Sequence, residues 1–216
     1  MQGSDLPDEW KTKPTDRFIL RWIKCHLSVR ITPRLTRFTW LRPWMITLLS
    51  SFLGMIAGVF FAVGWGFAAG LIAMVSQVLD GVDGQFARLT GRQSPQGALF
   101  DSSLDRYADT ALVLGLCIYL IRLPCFLPLW QLLVLGFLAL AGSSSISYTT
   151  ARAETLGLAI EEKPTLASKG TRTTVIAFGG LVSFFWAQAP VLALIYLAVH
   201  TNWIIAQRLL QAFRKT

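Results

Sequence analysis

Four carboxylates, Asp80, Asp83, Asp101 and Asp105, crowd into one short stretch of a chain that is otherwise apolar enough for a bilayer. A charged side chain near the centre of a membrane segment costs roughly 2.5 to 3.5 kcal/mol on insertion scales, so such a cluster needs compensating charge. On helices, Asp80 and Asp83 share one face and Asp101 and Asp105 share another. If the two helices form an antiparallel hairpin around Gly91 to Ser94, all four carboxylates meet. An oxygen-only donor set suits hard cations, Mg2+ or Mn2+, and four carboxylates have room for two. Gly81, Gly84 and Ala87 between them are small enough to let a flat ligand approach the backbone, and Arg88 suits a phosphate. Two other chemistries use buried carboxylates. Internal salt bridges to Arg88 and Arg106 would leave half of the negative charge unmatched. A proton or ion relay spreads its polar groups across the membrane, whereas these sit at one depth. A metal-assisted site facing the cytosol fits best.

The elements that must hold these residues are hydrophobic helices. The chain has 216 residues, 53% hydrophobic and 15% charged, with a mean hydropathy of +0.51. Long apolar runs with short polar joints predict an all-α polytopic membrane protein with six transmembrane helices. The spans are expected at Pro43–Trp65, Phe67–Leu89, Pro95–Leu120, Pro128–Arg152, Lys169–Ala187 and Pro190–Leu210. Trp40, Trp44, Trp65, Trp130, Trp186 and Trp203 fall near their ends, as an interfacial aromatic belt would place them. Residues 1–14 read as a flexible tail. Residues 15–42 read as a juxtamembrane amphipathic helix and connection, with Phe18, Trp22, Cys25 and Val29 on its apolar side. Residues 43–212 form the membrane domain.

Lysine and arginine crowd before the first span, at the second and fourth joints and at the C-terminus, and nearly vanish from the other joints. That asymmetry predicts both termini and the acidic cluster on the cytosolic side. The net charge of +8 is thus a topology signal with affinity for anionic lipid, and nucleic-acid binding is excluded. Cys25, Cys117 and Cys125 have no metal-binding spacing, and His26 and His200 lie too far apart to act together.

The string from Asp80 to Asp105 resembles, position for position, the signature of the CDP-alcohol phosphatidyltransferase family, D-x2-D-G-x2-A-R-x8-G-x3-D-x3-D, with Gly97 as its second glycine. A Pro-x-x-Ile-Thr start at Pro43 to Thr47 and Ala151-Arg-Ala-Glu154 extend the likeness, although Trp44 stands where the family usually has Asn. The resemblance implies a six-helix, usually homodimeric membrane enzyme of phospholipid synthesis in the cell membrane. Such an enzyme moves a substituted phosphate from a CDP-linked donor to an alcohol and releases CMP. It also implies that Asp80, Asp83, Asp101 and Asp105 bind two metal ions and that Asp105 doubles as the base. Gly81, Asp83, Gly84, Ala87 and Arg88 would then lie against the cytidine diphosphate. Members with phosphorylated acceptors, such as inositol phosphate or glycerol phosphate, resemble this chain in the basic residues around the fourth joint. Arg152, Lys169 and Arg172 are accordingly expected at the acceptor. The competing readings are a non-catalytic membrane scaffold and an Mg2+-dependent intramembrane prenyltransferase. The scaffold is weakened because no signature position is lost, and the prenyltransferase because such enzymes set their aspartate motifs far apart.

Overall fold

The computed structural model of the protein describes residues 24–158 and 169–214. The expected tail, the start of the juxtamembrane helix with Phe18 and Trp22, and the side chains of Cys25 and Lys169 lie outside the described residues. A π-helical turn, Lys24–Ser28, leads into α1 (Val29–Leu35). Six longer helices follow: α2 (Pro43–Ala62), α3 (Gly66–Leu89), α4 (Pro95–Arg122), α5 (Leu129–Thr155), α6 (Lys169–Val182) and α7 (Pro190–Arg214). No strand occurs among the described residues. The protein is an all-helical, polytopic membrane protein. Helices α2, α3, α5 and the 190–213 stretch of α7 are long and apolar enough to cross a bilayer. Helix α4 has the length, 28 residues, but its first turns carry Asp101 and Asp105.

Helix starts follow local chemistry. Proline occupies the first turn of α2 and of α4, where its missing N–H costs nothing. Ser94 caps α4 by accepting from the Gly97 N–H at 3.0 Å. Between α3 and α4 the chain reverses through Gly91 at φ +65°, a left-handed conformation that glycine adopts without steric cost. One expected boundary is corrected. The apolar run after Val182 was read as continuing the fifth span to Ala187, but α6 stops at Val182 and the chain turns, with the Ser183 hydroxyl bonded to the Gly180 carbonyl. Hydrophobicity alone does not separate a membrane helix from an apolar turn at its end.

The contacts close a ring: α2 packs on α3, α3 on α6, α6 on α7, α7 on α5, α5 on α4, and α4 back on α2. At the α2–α4 crossing the backbones touch. A Cβ on Gly115 would run into the Gly58 carbonyl, and one on Gly58 into the Ala111 carbonyl. Small residues at helical spacing permit such close approach where lipid supplies no hydrophobic drive. The core beside it is built from Phe61, Leu112, Leu116, Leu120, Leu194 and Leu197. All six tryptophans of the expected belt are exposed.

The described end of the juxtamembrane segment docks onto the bundle. Ser28 Oγ donates to the Val78 carbonyl at 2.9 Å, and Thr32 Oγ1 to Gln85 Oε1 at 2.9 Å. Its basic residues Arg30, Arg34 and Arg37 face outward.

Candidate active site

Helices α3 and α4 carry the signature, yet they scarcely touch each other, each leaning instead on α2. Their carboxylates face one another across the resulting gap. One oxygen from each of Asp80, Asp101 and Asp105 lies within 4.8 Å of the other two. Asp105 is buried, and Asp80 and Asp101 are half-buried. Three carboxylates held this closely repel one another unless positive charge enters between them. An oxygen-only set at this spacing fits a hard divalent cation.

Asp83 is not part of this trio. It sits on α3 where its Oδ2 receives the Thr47 hydroxyl of α2 at 2.7 Å, both side chains being buried. The i, i+3 spacing puts Asp80 and Asp83 on one broad face, but only the position of α2 decides which neighbour each meets. Thr47 was missed as a site residue, although it ends the Pro43-x-x-Ile-Thr47 start.

Beside the trio opens a groove of about 1440 Å3. Its walls are the start of α2, the end of α3, the turn, and the first turns of α4. Asp101 belongs to both the groove and the trio, so the two are continuous. Asp83, Gly84, Ala87 and Arg88 line the groove as expected, whereas Gly81 is buried and does not reach it. The Arg88 guanidinium lies back over Gly84, where an added Cβ would stand 3.4 Å from its Nη1. Arg92 Nη1 donates to the Leu41 carbonyl at 2.9 Å and ties the turn to the start of α2. Trp44 stands in the wall opposite Ala87 and Arg88, offering an exposed indole in place of the usual Asn.

Of the residues expected at the acceptor, Arg152 and Arg172 stand in different surroundings, and the side chain of Lys169 lies outside the described residues. Arg152 is exposed on the last turn of α5. Arg172 is buried, 3% exposed, and its Nη2 donates to Asp109 Oδ2 at 2.8 Å. Asp109 was not anticipated, although Asp101-x3-Asp105-x3-Asp109 continues the signature by one helical turn. Arg106 stands 3.8 Å from the same Asp109 oxygen and donates to the Ser143 carbonyl at 3.2 Å. The basic residues at the fourth joint carry the positive-inside signal, but that signal is silent on which of them turns inward. On α7, Arg208 bonds the Ile146 carbonyl at 2.8 Å and Thr150 Oγ1 at 2.7 Å on α5. It too was missed, since its partners lie far away in sequence.

Known proteins are similar to this chain in fold and sequence. The crystal structure of Mycobacterium tuberculosis phosphatidylinositol phosphate synthase with CDP-DAG bound superposes with a TM-score of 0.74 at 26% identity, over 87% of this chain and 94% of that one. The same enzyme has been solved in complex with manganese and citrate. The archaetidylinositol phosphate synthase of Pyrococcus horikoshii is 30% identical over 80% of this chain and 84% of its own length. The bifunctional IPC transferase and DIPP synthase of Aquifex aeolicus is 36% identical over 63% of this chain, but this chain spans only 30% of that protein. Against the bifunctional relatives of Rubrobacter xylanophilus and Thermococcus kodakarensis it likewise spans 31% and 45% of their length. Residues 40–208 match the family described as CDP-alcohol phosphatidyltransferase, and this chain is a member of that family.

Proposed function

We propose that the protein transfers a substituted phosphate from a CDP-linked lipid to an alcohol acceptor, releasing CMP, at the cytosolic face of the cell membrane. The observation that carries this reading is the meeting of Asp80, Asp101 and Asp105 across the α3–α4 gap, open to a groove that bears Asp83 and Arg88. Asp80, Asp101 and Asp105 hold Mg2+ or Mn2+, and Asp83 completes the set for a second ion. Bound there, the cations neutralise pyrophosphate oxygens and stabilise the departing CMP. The groove takes the cytidine diphosphate, with Gly84 and Ala87 leaving room for it and Arg88 pairing with a phosphate oxygen. Asp105 accepts the acceptor hydroxyl proton. The acceptor oxygen then bonds to the phosphorus that carries the lipid, the pyrophosphate P–O bond breaks, and CMP leaves with the electron pair.

The acceptor is a phosphorylated polyol, inositol phosphate first. The names of the relatives and the basic residues at the cytosolic ends of α5 and α6 support this. Arg152 and Lys169 are candidates to receive its phosphate. Arg172 contributes from below through Asp109. The enzyme works as a homodimer with both termini in the cytosol, in line with its lysine and arginine asymmetry.

The test is CMP release by the purified protein in liposomes with CDP-diacylglycerol, read together with lipid mass spectrometry over inositol phosphate, glycerol 3-phosphate, inositol and serine. Metal-dependent CMP release with a phosphorylated polyol is expected. No release with any acceptor would support the scaffold reading instead.

A further inference from the structure

A second, small space among α2, α3, α4 and α6 shares Asp80 with the trio and no lining residue with the groove. Its walls include Ser51, Ser76, Gln77, Asp80, Asp109 and Thr173. The centre of a water-sized sphere has about 10 Å3 of it to occupy, close to the least that a single buried water requires. Gln77 is 2% exposed, and its Nε2 has no hydrogen-bond partner among the described residues. A buried amide donor left in that state has lost the hydrogen bond it made to water and gained none in return. An amide nitrogen donates, so a neutral occupant beside it must offer an acceptor atom.

The other walls have the complementary chemistry. The Ser76 hydroxyl already donates to the Ser50 carbonyl at 2.8 Å, so its oxygen keeps only acceptor capacity for an occupant of the space it lines. Asp80 brings a carboxylate. Asp109 is neutralised by Arg172 at 2.8 Å and does not repel a second carboxylate there. One molecule that accepts from Gln77 and donates twice satisfies this inventory, and water is the species that fits.

We infer that the space between Gln77 and Asp80 binds one structural water, through which Gln77 positions Asp80 in the metal-holding trio. Gln77 is therefore a positioning residue rather than a catalytic one. Partners one shell behind a metal ligand typically contribute 10- to 100-fold to metal affinity.

The inference rests on the metal-holding role of Asp80, and two measurements keep the two ideas apart. Mn2+ binding by wild type and Asp80→Asn, followed by electron paramagnetic resonance, tests that role alone. For the water, a map of the wild type at a resolution that shows ordered solvent is expected to contain one peak within hydrogen-bond range of both Gln77 Nε2 and an Asp80 oxygen. Gln77→Met keeps the length of the side chain and removes its donor. It is expected to raise the Mn2+ dissociation constant about 10- to 100-fold while leaving the thermal midpoint of the metal-free protein at or above the wild-type value. An empty space in the map would overturn the inference. So would a Gln77→Met variant that binds Mn2+ like wild type, or one that only lowers the metal-free midpoint.

Discussion

Helix α4 meets α2 and α3 in opposite ways. Against α2 it packs backbone to backbone, with no room for a Cβ at Gly58 or Gly115. Against α3 it hardly packs at all, and the space is lined by Asp80, Asp101 and Asp105. The tight crossing is what makes the open one usable. Carboxylates that repel one another would spread if their helices were free to move, and α2 holds both helices at a fixed separation. Stability is concentrated at the α2–α4 seam, and chemistry at the α3–α4 gap.

The strongest blow to the gap is Asp105→Asn. It should cut CMP release about 10^2- to 10^4-fold even at Mn2+ high enough to saturate the variant. Full activity in that variant would remove Asp105 as the base. Next comes Arg172→Met, which removes the nearer cation of Asp109 and leaves its buried carboxylate to the more distant Arg106. Breaking a buried pair from one side costs about 3 to 5 kcal/mol. A large fall in the thermal midpoint is therefore expected, together with lost yield. A stable variant with only a raised acceptor KM would instead assign Arg172 directly to the acceptor.

The Thr47–Asp83 bond joins the seam to the gap, and its loss should be intermediate in size. Thr47→Val should weaken metal binding about 10- to 100-fold, with Thr47→Ser restoring it. Equal affinity in Thr47→Val and wild type would show that Asp83 needs no support from α2. The smallest effect separates the two regions most cleanly. Gly84→Ala places a methyl in ordinary contact with Arg88 and should alter stability by less than about 1 kcal/mol, while raising the donor KM several-fold. Gly115→Ala, the same chemical change at the seam, should destabilise the protein by about 1 to 3 kcal/mol and leave the KM of the folded fraction unchanged. Thermal midpoints and donor titrations of the two variants test the contrast side by side.

Much of the fold was legible because its punctuation is local. Pro43, Pro95 and Pro190 mark helix starts that the structure reproduces to the residue, and Gly91 marks the turn. Gly54-x3-Gly58 is a close-packing pattern that sequence could have yielded, but not that its partner would be α4. In the site, fixed spacing along two helices was enough to nominate Asp80, Asp101 and Asp105. It could not tell that Asp83 turns to Thr47 or Arg172 to Asp109, because those choices are made across helices 36 and 63 positions away in sequence. The same limit hid Gln77, whose burial beside Asp80 depends on α2 and α6 closing over it.

The most direct test of the account is Mn2+ titration of the purified protein and of its Asp80→Asn, Asp101→Asn and Asp105→Asn variants, read by electron paramagnetic resonance. Saturable binding in wild type, with at least a tenfold loss in each variant, is the predicted result. Equal binding in all four proteins, or none in wild type, would contradict the claim that these three carboxylates act together on one cation.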